Sequence, residues 1–416
     1  MTPPPSASAR YSSSVALWPA LVVLAVVVLL PVGRTSELPI AIGALAAIVL
    51  LAQRRIDRHD AAIRLPLILF ACYALPALIS GAAPVAPART WSTVASILRF
   101  LPFAVFASWA LGDARTWKAL VATVAAVVSL WVIDAYAQML TGYSLAGAAE
   151  AERLSGIFGA GNLKLGPVLA VLSPFVLVAA RDALGWRGLA VAFVFLAVPI
   201  LLAGSRAAWL MYALVAVVVA WREARNKRTF ALAVGVAVVV AGIATGIALR
   251  DSPGFDARIG RSLLALGGTE SAVDVASAGR LSIWRTAIGM WKAHPLTGVG
   301  VRGFRYAYPG YAAPQDKFVD TASDTGASHA HQIVLEVLSE TGAIGLVFWL
   351  AGAVFAVRAW LRSDRRTRDR AFAPALALLA MCFPLNTHLA FYSAWWGLLF
   401  WWLLALYCAA LSADEA

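Results

Sequence analysis

Apolar runs recur along nearly the whole chain, separated by short polar loops. Twelve of them predict helical spans: Val15–Leu30, Leu38–Ala52, Leu65–Ile79, Val94–Leu111, Trp117–Leu140, Lys164–Ala180, Gly188–Ala203, Ala207–Trp221, Phe230–Leu249, His331–Trp360, Ala371–Leu389 and Ala394–Leu411. Several are shorter than the about 20 residues that a perpendicular membrane helix needs. One long polar stretch interrupts the pattern, from Gly279 to Gly345. It opens with Arg280-Leu281-Ser282-Ile283-Trp284-Arg285 and continues to His294-Pro295-Leu296-Thr297-Gly298-Val299-Gly300. It closes with His329-Ala330-His331-Gln332, Leu335, Glu340-Thr341-Gly342 and Gly345, and it holds three of the five histidines. This stretch is the expected working surface, and the spans are its frame.

The expected organisation is a disordered Pro/Ser-rich tail over 1–14, helices one to nine over 15–249, a loop domain over 250–330, helices ten to twelve over 331–411 and a short tail over 412–416. The apolar run after residue 14 resembles a signal peptide. It is long, however, and no small-x-small cleavage site follows Leu30, so a retained first span is expected.

The 416 residues are 61% hydrophobic and 13% charged, against about 25% charge in soluble domains. No single water-soluble core could hide that much apolar surface, which leaves an all-α polytopic membrane protein. The net charge of +12 would suggest nucleic acid in a soluble protein. Here the basic residues gather in short loops on one side, so no nucleic-acid partner is expected. Cys72, Cys382 and Cys408 lie inside apolar runs and read as packing residues, with no disulfide framework or cysteine metal site.

Lysine and arginine positions give the orientation. With the N-terminus in the cytoplasm, that side receives Arg10, Arg54, Arg55, Arg58, Arg64, Arg115, Lys118, Arg181, Arg187, Arg222, Arg225, Lys227, Arg228 and the arginines from Arg358 to Arg370. The other side receives Arg34, Arg89, Arg99, Arg153, Lys164 and Arg206. Both termini are then inside and the long loop outside. In this topology Arg99, Asp134, Lys164, Arg206, Glu336, Glu340 and His388 fall in the outer halves of their helices. Ionisable groups in a membrane are costly and usually functional. Crowded beneath the loop, they favour surface chemistry over passage, although Arg99 and Lys164 could equally be interfacial anchors.

Arg206 follows Gly204-Ser205 between two spans with almost no loop. A guanidinium held there could grip a phosphate bidentately, or bind a lipid headgroup. Leu281, Trp284, Ile288 and Trp291 recur at helical spacing up to His294-Pro295, predicting an amphipathic helix lying Trp-side down on the membrane. Arg285 and Lys292 share another face, for substrate or for simple membrane adhesion. Arg280 sits in the first turn, where backbone N–H groups favour an anion.

Gly298-Val299-Gly300-Val301-Arg302-Gly303 matches the dinucleotide pattern, but no strand or βαβ unit surrounds it, so a sharp turn is expected instead. Phe304, Tyr306, Tyr308 and Tyr311 could stack on sugars or pack. His331 at the boundary is an available base, or a structural hydrogen-bonding group. The His329, His331 pair lacks the carboxylates or further histidines of a metal site. If the helix begins near Ala330, Glu336 lies about 140° around it from His331, so any partner orienting His331 comes from elsewhere.

Gly204-Ser205-Arg206, then Arg280-x3-Trp284 leading to His294-Pro295-Leu296-x-Gly298-x-Gly300, then His331-x3-Leu335-x4-Glu340-x-Gly342-x2-Gly345 form an ordered set. With many spans and one large loop before the last three, the set resembles the O-antigen ligase and polymerase superfamily of bacterial inner-membrane glycosyltransferases, and within it the ligases. One departure is Gln332, where the family often has Asn.

The resemblance implies a GT-C-like enzyme at the periplasmic face of a Gram-negative inner membrane. Such an enzyme moves polysaccharide from undecaprenyl diphosphate to lipid A–core with inversion, without metal or cofactor, amid membrane lipids. Mapped here, it implies His331 as general base and Arg206 and Arg280 as diphosphate holders, with Arg285, His329, Lys164 and Glu340 as further substrate-binding candidates. A polymerase or a protein O-oligosaccharyltransferase would share the donor chemistry. A flippase or exporter of lipid-linked glycans would need a polar route across the membrane, and the inner-half spans offer none. A structural scaffold would tolerate replacement of His331.

Overall fold

The computed structural model describes residues 17–57, 61–148, 153–232, 279–387 and 390–412, with a few positions between 234 and 246. The tail over 1–14, most of the span expected at 230–249, the loop over 250–278, His388 and the last four residues lie outside that set.

The described residues are mostly helical: α1 (Trp18–Val28), α2 (Glu37–Ala52), α3 (Ala61–Ser80), α4 (Pro87–Ile97), α5 (Phe100–Ala110), α6 (Ala114–Thr141), α7 (Leu165–Leu202), α8 (Arg206–Glu223), α9 (Arg280–Ala293), α10 (Phe304–Ala307), α11 (Ile333–Arg362), α12 (Arg365–Cys382) and α13 (Ala394–Ser412). Their only sheet is a two-stranded hairpin, β1 (Tyr143–Ser144) with β2 (Gly147–Ala148). Among the described residues, six helical stretches are long and apolar enough to cross a membrane: α3, α4 with α5, α6, α7, α11 and α13. The chain is an integral membrane protein of all-α class. In α8 and α12 the charges sit at the ends, Arg206 with Arg222 and Glu223, and Arg365 to Arg370.

Local chemistry sets the ends. Asp113 caps α6 by accepting from Thr116 N at 2.8 Å, and Asp364 caps α12 by accepting from Thr367 N at 2.7 Å; side-chain oxygens of this kind satisfy amides that a helix start leaves unpaired. α12 stops at Cys382, before Phe383-Pro384, short of the expected Leu389. Proline cannot continue the helix, and its neighbour is pushed to extended backbone. The span expected at Val94–Leu111 begins earlier and is two helices, α4 and α5, meeting at Leu98 and Arg99.

α7 is two antiparallel spans. Gly185 has φ 64°, ψ −149°, and a Cβ on Gly166 would lie 3.0 Å from the Cβ of Ala203. In a straight helix those residues would be about 55 Å apart. The spans expected at 164–180 and 188–203 therefore stand side by side. α13 runs through the interior: Trp401 stacks on Phe100 at 5.7 Å, and Trp402 donates to the Val23 carbonyl at 2.8 Å. A helix apolar all round is one surrounded by others.

The two ends of the bundle differ. At one, Arg181 pairs with Glu223 at 2.9 Å and Arg222 with Asp369 at 2.8 Å, joining three of the loops expected on the cytoplasmic side. At the other lie Arg206, α9 and the start of α11.

At that second end α11 is broken at Gly342, which has φ 66° and ψ −165°. A Cβ on Gly345 would be 3.4 Å from Val337 Cγ1, eight residues back, against about 12 Å along a straight helix. Breaking a helix strands backbone groups, each costly to bury unpaired. The segment over 295–300 meets them. Val299 N donates to Ser339 O at 2.8 Å and Gly300 N to Glu340 O at 3.0 Å, while Ala343 N donates to Pro295 O at 2.8 Å. The same segment is stitched to the frame: Val85 N donates to Val299 O at 2.9 Å, and Thr90 Oγ1 to Val301 O at 3.1 Å.

Only glycine permits this approach. A Cβ on Gly342 would collide with the backbone of Leu296, and one on Gly298 with the backbone of Glu340 and Thr341. Both also have positive φ, which glycine adopts freely. Gly342→Ala and Gly298→Ala should each destabilise the protein by at least about 2 kcal/mol, read as a lower thermal midpoint in detergent. Gly310→Ala, with nothing within 4 Å of the added Cβ, should leave that midpoint unchanged.

Candidate functional site

Two arginines begin two helices. Ser205 caps α8, accepting from Ala208 N at 3.4 Å, and makes Arg206 the first helical residue. Gly279, at φ 80°, precedes α9 without a side-chain cap and leaves Arg280 as the first residue of that helix. Each guanidinium therefore stands where the helix N–H groups also favour negative charge. The two charges lie close enough to oppose each other: burial first, and the Arg206 guanidinium second, push the Arg280 pKa below its ordinary value. Like charges held together in a partly buried place store electrostatic repulsion that a polyanion would relieve.

His331 lies next to Arg280. Its pKa is pushed down to about 4, chiefly by burial and also by the Arg280 charge, against a raising effect of its bond to Thr387. The imidazole is therefore neutral at pH 7. Its Nδ1 lies 2.9 Å from the Thr387 carbonyl oxygen. A carbonyl can only accept, so Nδ1 carries the proton and Nε2 keeps its lone pair. His331 has φ 54°, a left-handed backbone that costs a non-glycine residue about 1 kcal/mol or more.

The residues around it hold that conformation. Trp284, one turn beyond Arg280 on the same helix, donates its indole N–H to the Ala330 carbonyl at 3.1 Å. The Arg280-x3-Trp284 spacing thus puts the guanidinium and a clamp on one stripe. Gln332, with extended backbone, caps α11 by accepting from Leu335 N at 2.6 Å. The amide oxygen does the work an Asn would do. His331 consequently lies just before the helix, which starts at Ile333, instead of opening it.

The remaining candidates divide. His329 packs its ring on His331, centroids 3.8 Å apart, and bonds to Ser328 Oγ at 2.9 Å. Lys164 shares this end of the bundle but sits over the Trp395 ring at 4.5 Å. Arg285 is exposed on α9. Glu340 is fully buried, within electrostatic reach of Arg302 and Glu336, so the structure does not gather it with Arg206, Arg280 and His331. Among other charged residues, Arg99 pairs with Glu37 at 3.3 Å, and Asp134 accepts from Leu145 N at 2.7 Å, tying the β-hairpin to α6. Both are structural anchors.

The amphipathic helix forms where expected and stops at His294, but a different face is inside. Ile283, Thr286, Ala287 and Met290 are buried, while Ile288 is exposed and Trp284 half-buried. The face that packs is the one toward Phe304, Tyr308 and Ala330, and periodicity alone could not tell a protein-facing stripe from a membrane-facing one. Phe304 and Tyr308 are fully buried core. Tyr311 bonds to His294 Nε2 at 3.0 Å, which leaves Tyr306 as the exposed ring of the four.

Thr387 carried no signal in the sequence, since its contribution is a backbone carbonyl. Lys317 lies against Gly279 at the start of α9, and its ammonium is 5.3 Å from the Phe318 ring. It falls thirty-seven residues from Arg280 in sequence with no motif linking them. An apolar cavity of about 540 Å³ opens between α3, α11, α12 and α13, lined by Leu69, Trp349, Phe372, Leu379 and Phe400 and reaching Pro384 and Phe391, which flank Thr387.

The family model for O-antigen ligase matches residues 191–350. That segment contains Arg206, Arg280, Arg285, His329, His331 and Glu340 and excludes Lys164. The match supports an O-antigen ligase family assignment and, in general terms, ligase- or polymerase-type glycosyl transfer. No curated protein matches the chain.

The depressed His331 pKa makes a stability prediction. With about 4 folded and about 6.5 unfolded, the unfolded chain binds more protons between those values, so stability is full above pH 6.5 and declines as pH falls toward 4. Lowering pH from 7.5 to 5 should cost the wild type about 2 kcal/mol more than His331→Gln, measured as the difference in their unfolding free energies at the two pH values.

Proposed function

We propose that this protein transfers a polysaccharide from undecaprenyl diphosphate to lipid A–core at the periplasmic face of the bacterial inner membrane, as an O-antigen ligase. The observation that carries the reading is the electrostatic contact of Arg280 with both Arg206 and His331, at the end of the bundle opposite the Arg181–Glu223 and Arg222–Asp369 pairs. The positive-inside rule assigns the latter end to the cytoplasm, which makes the first end periplasmic and both termini cytoplasmic.

In the proposed reaction the diphosphate bridges Arg206 and Arg280. The acceptor hydroxyl oxygen attacks the anomeric carbon from the opposite face, so configuration inverts. The carbon–oxygen bond to the diphosphate breaks, and its electron pair leaves on the phosphate oxygen, where the two guanidinium groups stabilise the growing charge. The hydroxyl proton passes to Nε2 of His331, the nitrogen that the Thr387 bond leaves unprotonated. A bound diphosphate also offsets the Arg280 charge that weighs against imidazolium, so His331 becomes a stronger base when donor is present.

The apolar cavity beside Thr387 supports a lipid-borne donor, because an isoprenoid chain could lie there while its headgroup reaches the arginines. Arg285, His329, Lys164 and Glu340 are proposed at the edge of substrate binding, with Glu340 acting from beneath through Arg302. A polymerase would use the same donor machinery with a different acceptor.

The test is alanine at Arg206, Arg280 and His331, each at wild-type membrane level, assayed for polymer on lipid A–core. Transfer should fall by about 10²-fold or more in each variant, with lipid-linked polymer accumulating. Capping reduced to a single repeat would point to a polymerase, and unchanged lipopolysaccharide would sink both readings.

A further inference from the structure

We propose that Glu336 is a positioning residue for His331, acting through the backbone segment that carries the Thr387 carbonyl. Glu336 lies in the first turns of α11, five residues beyond His331, and is fully buried. Its Oε1 accepts the Phe391 N–H at 2.8 Å. Phe391 is four residues beyond Thr387, whose carbonyl accepts from His331 Nδ1 at 2.9 Å. Two hydrogen bonds therefore close a circuit. The start of α11 holds the segment between α12 and α13 through Glu336, and that segment holds the imidazole just before α11. Release at Glu336 lets the Thr387 carbonyl move, and the imidazole then loses what fixes its proton on Nδ1. In the other tautomer Nε2 carries hydrogen and cannot accept a proton.

Burying a polar side chain is costly unless it is hydrogen-bonded, so a fully buried Glu336 is retained for the bond it makes. Around Glu336 stand Arg302, Glu340, Tyr73 and Tyr392. Around His331 stand His329, Arg280 and, behind it, Arg206. Tyr73 donates to the Phe391 carbonyl at 3.0 Å, and Tyr392 donates to the Tyr73 carbonyl at 3.3 Å. The segment is thus gripped on its far side as well. Before Thr387, Asn386 ties it to the end of α12 by donating its Nδ2 to the Met381 carbonyl at 2.8 Å, and the Glu336 bond is the tie from α11 on the side after Thr387.

The tautomer arm of the test stands by itself, and only the kinetic arm rests on the proposed transfer reaction. Protein labelled with ring-¹⁵N histidine, with the His331 signals assigned by His331→Gln, reports which nitrogen is protonated. Nδ1–H is expected in the wild type and in Glu336→Gln, which keeps an acceptor for Phe391 N–H. A mixture of tautomers is expected in Glu336→Leu. In transfer assays Glu336→Leu should lose about 10-fold or more in kcat with the donor KM within about twofold, and Glu336→Gln should restore it. Phe391→Pro deletes the donor from the other end of the same bond and should reproduce Glu336→Leu. An Nε2–H tautomer in the wild type overturns the proposal without any variant. So does a folded Glu336→Leu or Phe391→Pro protein with Nδ1–H intact and wild-type kcat. The expected tautomer shifts without transfer by any protein would uphold the positioning role and sink the ligase reading.

Discussion

Everything at the working end depends on a broken helix whose loose backbone groups are taken up by another segment. At Gly342 the α11 ladder stops, and the carbonyls of Ser339 and Glu340 face outward to the amides of Val299 and Gly300. In a membrane protein such groups have no water to turn to, and leaving one unmet costs several kcal/mol. The insertion of 295–300 therefore fixes three things together. It sets the angle of the short first part of α11, it sets the position of α9 through His294, and it anchors both to α3 and α4 through Val85 and Thr90.

Upon that joint sits a site built from opposed charges. Arg206 and Arg280 each begin a helix, so their own charges and the helix N–H groups add in one place. Nature usually separates like charges or pairs them. Here Arg280 is partly buried with Arg206 beside it, and among the described residues no carboxylate stands within ion-pairing distance of Arg280. Repulsion between two such charges is what a ligand of high negative charge would offset. Burial, with the Arg280 charge a lesser cause, keeps His331 neutral, and the Thr387 carbonyl decides which of its nitrogens stays open.

Much of this was legible in the residues. Apolar runs required a membrane bundle, since no water-soluble arrangement could hide them. The spans at 164–180 and 188–203 were readable as two because Arg181 and Arg187 lie between them, and α7 does double back at Gly185. The end of α9 at His294 followed from Pro295. Other elements were not readable. The span expected to run to Leu389 ends at Cys382, and the freed segment becomes the carrier of Thr387. The stripe expected to meet lipid on α9 is not the buried one, because Ile283, Ala287 and Met290 found a protein surface instead. Glu340 shares a motif with His331 in sequence, yet its electrostatic partner is Arg302.

The sequence by itself determined the class of protein and the residue types available at the polar interruption. These follow from local composition and from the price of putting charge or bare backbone into hydrocarbon. Only the tertiary structure decided which of those residues meet. Arg206 and Arg280 are seventy-four positions apart, and His331 takes its orientation from a carbonyl fifty-six residues away. Backbone carbonyls are the same in every residue and leave no mark in a sequence. Their role appears only when two segments are brought to hydrogen-bond distance.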